Sequence, residues 1–113
     1  MEREGRLKRA AINLAIKIVH LYDKIDRKAF MKLQLGKAGT SVGANIHEAD
    51  YAVSKADFIS KMQIALKETS ETEYWLIVLE QTDFLPEEFS FLKESCISLK
   101  KMLVATLNTS KNN

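Results

Sequence analysis

The sequence predicts an all-α protein, an antiparallel up-down-up-down four-helix bundle. Three observations indicate this fold. Apolar residues recur at helical spacing along four segments, the links between the segments are short, and the 113 residues include only one Pro and four Gly. Folds made of strands need many turns, which Gly and Pro usually build, so their scarcity favours long helices. A chain of this length suits a single domain, which we assign to residues 1–113.

The first helix is expected at about residues 5–25. Its apolar residues alternate spacings of four and three, which places them in one stripe along a helix. This stripe consists of Leu7, Ala11, Leu14, Ile18, Leu21 and Ile25. A second apolar stripe consists of Ile12, Ala15, Val19 and Tyr22. Since one stripe is enough for the core of a bundle, the second indicates a wider buried face, such as contact with another subunit would provide.

The second helix is expected at about residues 27–52, and its middle contains poor helix formers. Three glycines lie between residues 36 and 43, and each lowers helix stability by up to about 1 kcal/mol. A close approach of neighbouring helices would offset that loss, and Ser41 and Asn45 could form hydrogen bonds across it. The predicted core stripe is Met31, Leu35, Ala38, Val42, Asn45, Ala49 and Ala52. These features predict a closely packed helix and no catalytic group.

The third helix is expected at about residues 55–83. Ser54 can cap its first turn, with Asp57 three residues later as the answering carboxylate. Its core stripe is Phe58, Met62, Ala65, Thr69, Thr72, Leu76 and Leu79. Near its end the run "YWLIVL" is apolar on every side, more than a small bundle can bury. We therefore predict an oligomer interface, formed by Tyr74, Trp75, Ile77 and Val78.

The fourth helix is expected at about residues 86–107. Pro86 suits its first turn, and Glu87 and Glu88 would lie at the positive end of the helix dipole. Its core stripe is Phe89, Leu92, Cys96, Leu99 and Leu103.

The sequence lacks the residue patterns of common active sites. A di-metal centre in a helix bundle needs Glu-x-x-His pairs, yet the residues three before His20 and His47 are Lys17 and Ala44. Cys96 lies on an apolar stripe, where an inert thiol is expected. The run "GKAGTS" does not have the order of a phosphate-binding loop. We expect no enzymatic activity, no metal and no cofactor.

Charge is distributed unevenly along the chain. Residues 1–37 contain ten Lys/Arg and four Asp/Glu, whereas residues 38–113 contain seven and eleven. A basic half can attract polyanions, although solvated helix faces would also account for it. The candidate phosphate-binding residues are Arg3, Arg6, Arg9, Lys17, Lys24, Arg27, Lys28, Lys32 and Lys37. Because Tyr22 and Phe30 are the only aromatic residues near them in the sequence, we expect recognition of nucleic-acid shape or backbone rather than single-stranded base stacking.

The chain shows neither a convincing secretory signal nor an uncharged apolar span of 18 residues. We therefore expect a cytoplasmic protein that makes no membrane contact. The single cysteine, Cys96, fits a reducing compartment.

The 46 residues from Gln34 to Leu79, "QLGKAGTSVGANIHEADYAVSKADFISKMQIALKETSETEYWLIVL", resemble the bacterial four-helix-bundle family of 23S rRNA intervening-sequence proteins. The motif residues are Gln34-Leu35, Lys37-Ala38, Ser41-Val42, Asn45-Ile46, Glu48, Phe58-Ile59, Ala65-Leu66 and Glu71 to Leu76. One departure is Ala49-Asp50, where many members have Glu-Gly. The glycines at 36 and 39 are another, and they soften the second helix.

The resemblance implies properties that composition does not show. Known members are four-helix bundles that assemble as ring-like homopentamers, and some are encoded inside insertions in ribosomal RNA genes. A related accessory protein of diversity-generating retroelements binds nucleic acid and a reverse transcriptase. The motif residues Gln34, Ser41, Asn45 and Glu48 lie near one side of the second helix. We interpret them as a polar network inside or between bundles, with ligand or RNA contact as the alternative.

Two functional hypotheses follow. The first is an oligomeric, non-enzymatic accessory or scaffold protein whose basic N-terminal half contacts the phosphates of RNA or DNA. The second is a protein-interaction scaffold without nucleic-acid binding, for which a reverse transcriptase is one partner that the resemblance implies.

Overall fold

The computed structural model describes residues 2–25 and 29–112, with the side chains of residues 5–25 and 30–112. These residues form four α-helices and one short 3-10 turn, and none of them lies in a strand. The elements are α1 (Glu2–Lys24), α2 (Ala29–Ala49), α3 (Lys55–Gln81), the 3-10 turn Glu87–Phe89 and α4 (Leu92–Lys111). The all-α prediction is confirmed.

The helices pack in the cyclic order α1, α2, α3, α4. α1 contacts both α2 and α4, and α3 contacts the same two helices. Ion pairs between neighbours show that consecutive helices run antiparallel. Near the start of α1, Lys8 Nζ lies 2.6 Å from Oδ2 of Asp50, which follows the end of α2. Near the start of α4, Lys93 Nζ lies 2.6 Å from Oε1 of Glu80, near the end of α3. The chain is therefore a four-helix bundle, 45 Å long and 21 × 19 Å across.

The core lies between the four predicted stripes. All six stripe residues of α1 are buried, as are the stripe residues of α4, whereas Phe58 at the start of α3 is only half-buried. Thr69 and Thr72 are buried without loss of hydrogen bonds, because their hydroxyls donate to the carbonyl oxygens of Ala65 (2.7 Å) and Glu68 (2.8 Å).

One core position of α2 was predicted incorrectly. Asn45 is half-buried at the edge, and Ile46, with 1% of its surface exposed, takes the core position next to Val42. Ile46 follows Val42 by four residues and Asn45 follows it by three, and both spacings keep the helical period. The apolar side chain of Ile46 is therefore the one that enters the core. The helix also ends at Ala49, so Ala52 lies in the following turn and not on a helical stripe.

The start of the fourth helix also differs from the prediction. Pro86 has an extended backbone (ψ 141°), and the next three residues form a single 3-10 turn. That turn places Phe89 in the core, and α4 begins only at Leu92. By contrast, the predicted cap of α3 is confirmed, since the hydroxyl of Ser54 accepts a hydrogen bond from the backbone N–H of Asp57 (3.0 Å).

The glycines of α2 face α1. A Cβ on Gly39 would lie 2.7 Å from Cγ1 of Ile18, and one on Gly43 would lie 3.6 Å from the carbonyl oxygen of Ala11. The small residues therefore allow α1 and α2 to approach closely, as the sequence predicted.

Candidate nucleic-acid interface

Three of the predicted basic residues share one side of α1. Lys17 follows Arg6 by eleven residues and Lys24 follows Lys17 by seven, which correspond to about three and two helical turns. All three side chains are exposed. We call Arg6, Lys17 and Lys24 the basic stripe.

The basic stripe borders α4. Arg6 lines a recess together with Lys101 of α4, and Lys17 lines a groove together with Phe91, which immediately precedes α4. Within the described part of the chain, neither the stripe nor Lys101 has an ion-pair partner, whereas Lys93 and Lys100 are paired with Glu80 and Glu73 of α3. Four cations on this α1–α4 side are thus available to phosphate groups.

The other predicted basic residues lie elsewhere. Lys32 is half-buried, and its Nζ lies 4.5 Å from the centre of the Tyr22 ring in a cation–π contact. Lys37 is exposed beside the groove between α1 and α2. Arg9 is exposed on α1, one turn from Arg6. Arg27 and Lys28 lie outside the described residues, as does the side chain of Arg3.

The predicted set does not form one compact patch. Arg6 and Lys24 are 18 residues apart on one helix, a distance of about 27 Å. The basic stripe therefore forms a line along the α1–α4 side. Lys101 of α4 extends this line, although it lies outside the basic N-terminal part of the sequence. Lys101 and Phe91 are more than 70 residues from Lys17 in the sequence, and only the packing of α4 against α1 brings them close.

A second surface feature is apolar. The outer stripe of α1 is exposed, with 57% of Ile12 and 50% of Val19 accessible, and Ile16 beside them is also exposed. Leu33 of α2 is exposed and lines a groove together with Val19. We call Ile12, Ile16, Val19 and Leu33 the α1–α2 apolar face. In the second stripe noted in the sequence, Ile12 and Val19 are thus exposed, whereas Ala15 and Tyr22 are half-buried. Contact of this stripe with another subunit stays a prediction.

The run "YWLIVL" in α3 is divided between core and surface. Trp75 and Val78 are half-buried against the core of their own chain, and Trp75 Nε1 lies 3.4 Å from Oε2 of Glu71. Tyr74 and Ile77 are exposed. Of the four residues predicted to form an interface, Trp75 and Val78 thus pack partly inside the bundle, and Tyr74 and Ile77 face solvent.

The four motif residues of α2 lie along its α3 side. Ser41 Oγ donates to the carbonyl oxygen of Lys37 (2.6 Å), and Asn45 Nδ2 donates to the carbonyl oxygen of Ser41 (2.9 Å). Glu48 reaches Lys61 of α3 at 3.8 Å, and Gln34 is half-buried. Ser41 and Asn45 therefore bind carbonyls of their own helix, and the single cross-helix contact is a long ion pair.

The described residues contain no group of three or more His, Cys, Asp or Glu side chains that could hold a metal ion. Burial raises the pKa of the Cys96 thiol to about 12, with the nearby Glu73 carboxylate adding to the rise. Cys96 is thus a packed, unreactive side chain at neutral pH. No helix in residues 2–25 and 29–112 is long and apolar enough to cross a membrane.

Comparisons with known proteins agree with this architecture. Residues 3–105 match the family model of the 23S rRNA-intervening sequence protein. The chain is also similar to a crystal structure of a protein of unknown function from the S23 ribosomal protein family of Bacteroides thetaiotaomicron, with 36% identity and a TM-score of 0.86. That similarity covers 94% of this chain and 98% of the other. No curated protein matches the sequence. The chain therefore belongs to the family of 23S rRNA-intervening sequence proteins.

Proposed function

We propose that this protein is a self-assembling, non-catalytic helical bundle that binds nucleic acid through phosphate contacts on its α1–α4 side, in the cytoplasm. The observation that supports the proposal is the line of exposed cations formed by the basic stripe and Lys101, none of which has an ion-pair partner in the described chain. Glu94 is the acidic side chain that borders the groove beside Lys17. A surface with this charge balance attracts a polyanion.

Lysine and arginine contacts to phosphates position a nucleic acid without reading its sequence. Four such contacts would release about four counterions, so the logarithm of the binding constant should fall with the logarithm of the salt concentration with a slope of about −3. RNA and DNA should both bind, because the phosphate is common to them.

Self-assembly would repeat this basic line. The α1–α2 apolar face is one exposed apolar surface, and a groove lined by Leu66, Ile97 and Val104 between α3 and α4 is a second. These surfaces lie on opposite sides of the bundle. Contact between two different surfaces of identical subunits is head-to-tail, and it gives a closed ring when the rotation allows. The ring-like homopentamer implied by the family resemblance is the assembly that we propose.

A ring of this kind would leave every α1–α4 side uncovered. Several basic lines held in one assembly would bind a long polyanion more tightly than a single subunit, because later contacts form at high effective concentration.

The test is a fourfold variant with Arg6, Lys17, Lys24 and Lys101 each replaced by Gln. The control replaces Lys55, Lys61 and Lys67 of α3 and Lys111 at the end of α4 by Gln, which removes the same charge without changing the basic stripe or Lys101. Affinity for RNA and DNA is measured across a salt series. We expect the test variant to lose most of its affinity and the control to retain it. Equal affinity of the two variants would show that the α1–α4 side is not the binding surface.

A second candidate function is a protein-interaction scaffold without nucleic-acid binding, with a reverse transcriptase as one possible class of partner. The exposed α1–α2 apolar face favours it, since a large apolar patch commonly marks a protein contact. An oligomer that binds neither RNA nor DNA at low salt would favour this function.

A further inference from the structure

We infer that the nucleic acid bound on the α1–α4 side is single-stranded, and that one of its bases stacks on Phe91 in the groove between α1 and α4. The inference rests on the proposed function and specifies the form of its ligand.

The groove has an apolar floor and a volume of about 630 Å³. Its floor is formed by Leu14 of α1 and Leu92 of α4, both fully buried. Pockets of roughly 300 to 1,000 Å³ accept ligands the size of small molecules, so this groove is large enough for a base and its sugar. The groove is open along the surface, and a chain can therefore enter and leave it.

Phe91 provides an aromatic surface at this groove. It lies directly before α4, 45% of its surface is exposed, and it lines the groove together with the apolar residues Ala10, Leu14 and Leu92. A phenyl ring in this position can stack on the flat face of any base, and such stacking tolerates every sequence.

Lys17 stands at the same groove, so a cation and an aromatic ring are close together. The rest of the basic stripe lies on either side of it along α1, with Lys24 about 10 Å away and Arg6 about 16 Å away. A strand that follows α1 would place phosphates beside these cations and one base at Phe91.

The polar groups of the groove suit the edge of a base. Asn13 of α1 and Ser98 of α4 are exposed at its walls, and they can both donate and accept hydrogen bonds. Glu94 at the rim would repel a phosphate, yet its carboxylate can accept a hydrogen bond from the amino group of a base. The groove therefore favours a base, and the basic stripe favours phosphates.

These features select a single strand over a duplex. In a duplex the faces of the bases are stacked on one another and cannot reach a side chain in a groove, whereas an unpaired base can. A duplex would contact the cations alone.

The experiment compares a single-stranded oligonucleotide with a duplex of the same length, each for RNA and for DNA. Phe91→Leu removes the aromatic ring and keeps an apolar side chain, and Phe91→Tyr restores the ring. Tyr51→Leu is the matched control, because Tyr51 is an exposed aromatic residue in the turn after α2, away from this groove. Thermal unfolding of each variant establishes that it is folded.

We expect Phe91→Leu to weaken single-strand binding roughly 5- to 150-fold, the range that loss of one stacked base gives. Phe91→Tyr and Tyr51→Leu should bind as the natural protein does, and duplex binding should be the same for all variants. A free mononucleotide should compete weakly, since it lacks the flanking phosphates.

Unchanged single-strand binding by a folded Phe91→Leu would overturn the stacking inference, while the charge variants could still support the proposed function. An equal loss of single-strand and duplex binding would also overturn it. If the natural protein binds neither probe at low salt, both the inference and the proposed function are wrong.

Discussion

Gly39 of α2 lies so close to α1 that a Cβ at this position would come within 2.7 Å of Cγ1 and 2.9 Å of Cγ2 of Ile18. Ile18 cannot turn away easily, because a β-branched side chain in a helix has one strongly preferred rotamer. The glycine is thus required by the packing of the two helices, although it weakens the helix that contains it.

Gly39→Ala should destabilise the protein by about 1 kcal/mol. Overpacking of a core contact costs roughly 1–3 kcal/mol, and the better helix propensity of Ala returns up to about 1 kcal/mol. Gly43→Ala is the control, because its Cβ would meet Ala11 at an ordinary distance of 3.6 Å, and it should stabilise the protein by up to about 1 kcal/mol. Urea unfolding measures both changes. Equal effects of the two substitutions would contradict the close contact at Gly39.

Loss of the ion pair between Lys100 of α4 and Glu73 of α3 should destabilise the bundle. Only 19% of the Glu73 side chain and 31% of the Lys100 side chain are exposed. Lys100→Met would leave the Glu73 carboxylate partly buried without its cation, and we expect a loss of about 1–3 kcal/mol. Lys67→Met, on the exposed surface of α3, should change the free energy of unfolding by less than about 0.5 kcal/mol. Comparable losses for the two variants, measured by urea unfolding, would rule out a structural role for the pair.

The thiol of Cys96 should make stability decrease at high pH. Its pKa is raised from 9.0 to about 12 in the folded chain, so between these values the folded state holds a proton that the unfolded state has released. The contribution of the protonated Cys96 thiol to the free energy of unfolding is therefore complete below about pH 9, and it is lost as the pH rises towards 12. Cys96→Ala should therefore show a shallower decline of unfolding free energy between pH 9 and 11.

Thiol labelling provides an independent measurement. At pH 8 the folded protein should react very slowly with a thiol reagent, and it should react quickly once it is unfolded in urea. Rapid labelling of the native protein would mean that the Cys96 thiol is accessible to solvent and that its pKa is not raised.

Substitutions on the two apolar surfaces should identify the mode of self-association. If identical subunits join head-to-tail, Leu33→Glu on the α1–α2 apolar face and Val104→Glu in the α3–α4 groove should each lower the mass in solution. An isologous dimer through the α1–α2 apolar face would respond to Leu33→Glu alone. Light scattering measures the mass, and Ser60→Glu serves as the control on an exposed polar site.

Tyr74→Glu tests the interface that the sequence suggested in α3. Tyr74 is exposed, so its replacement should leave the isolated bundle folded, whereas Trp75 packs partly against its own core. A reduced mass for Tyr74→Glu would place this part of α3 at a subunit contact. An unchanged mass would remove it from the interface.

The sequence by itself determined the four helices, most of their core residues and the cap at Ser54. Helical periodicity is a local property, since residues three and four apart share one side wherever the helix packs. The incorrect predictions concern positions where two residues, or two local backbone structures, fit the helical pattern equally well. Ile46 and Asn45 both continue the period of α2, and the segment after Pro86 could begin a helix or, as observed, form a 3-10 turn that buries Phe89.

Only the tertiary structure decided how the helix sides are combined. Which cations form a line, and which aromatic ring lies beside them, depends on the packing of α4 against α1, and Lys17 and Phe91 are too far apart in the sequence for periodicity to relate them. We expected phosphate contact without base stacking because Tyr22 and Phe30 are the only aromatic residues near the basic residues in the sequence. Contacts between distant segments arise from the burial of whole helix faces, and so the fold could be predicted from local pattern while the candidate site could not.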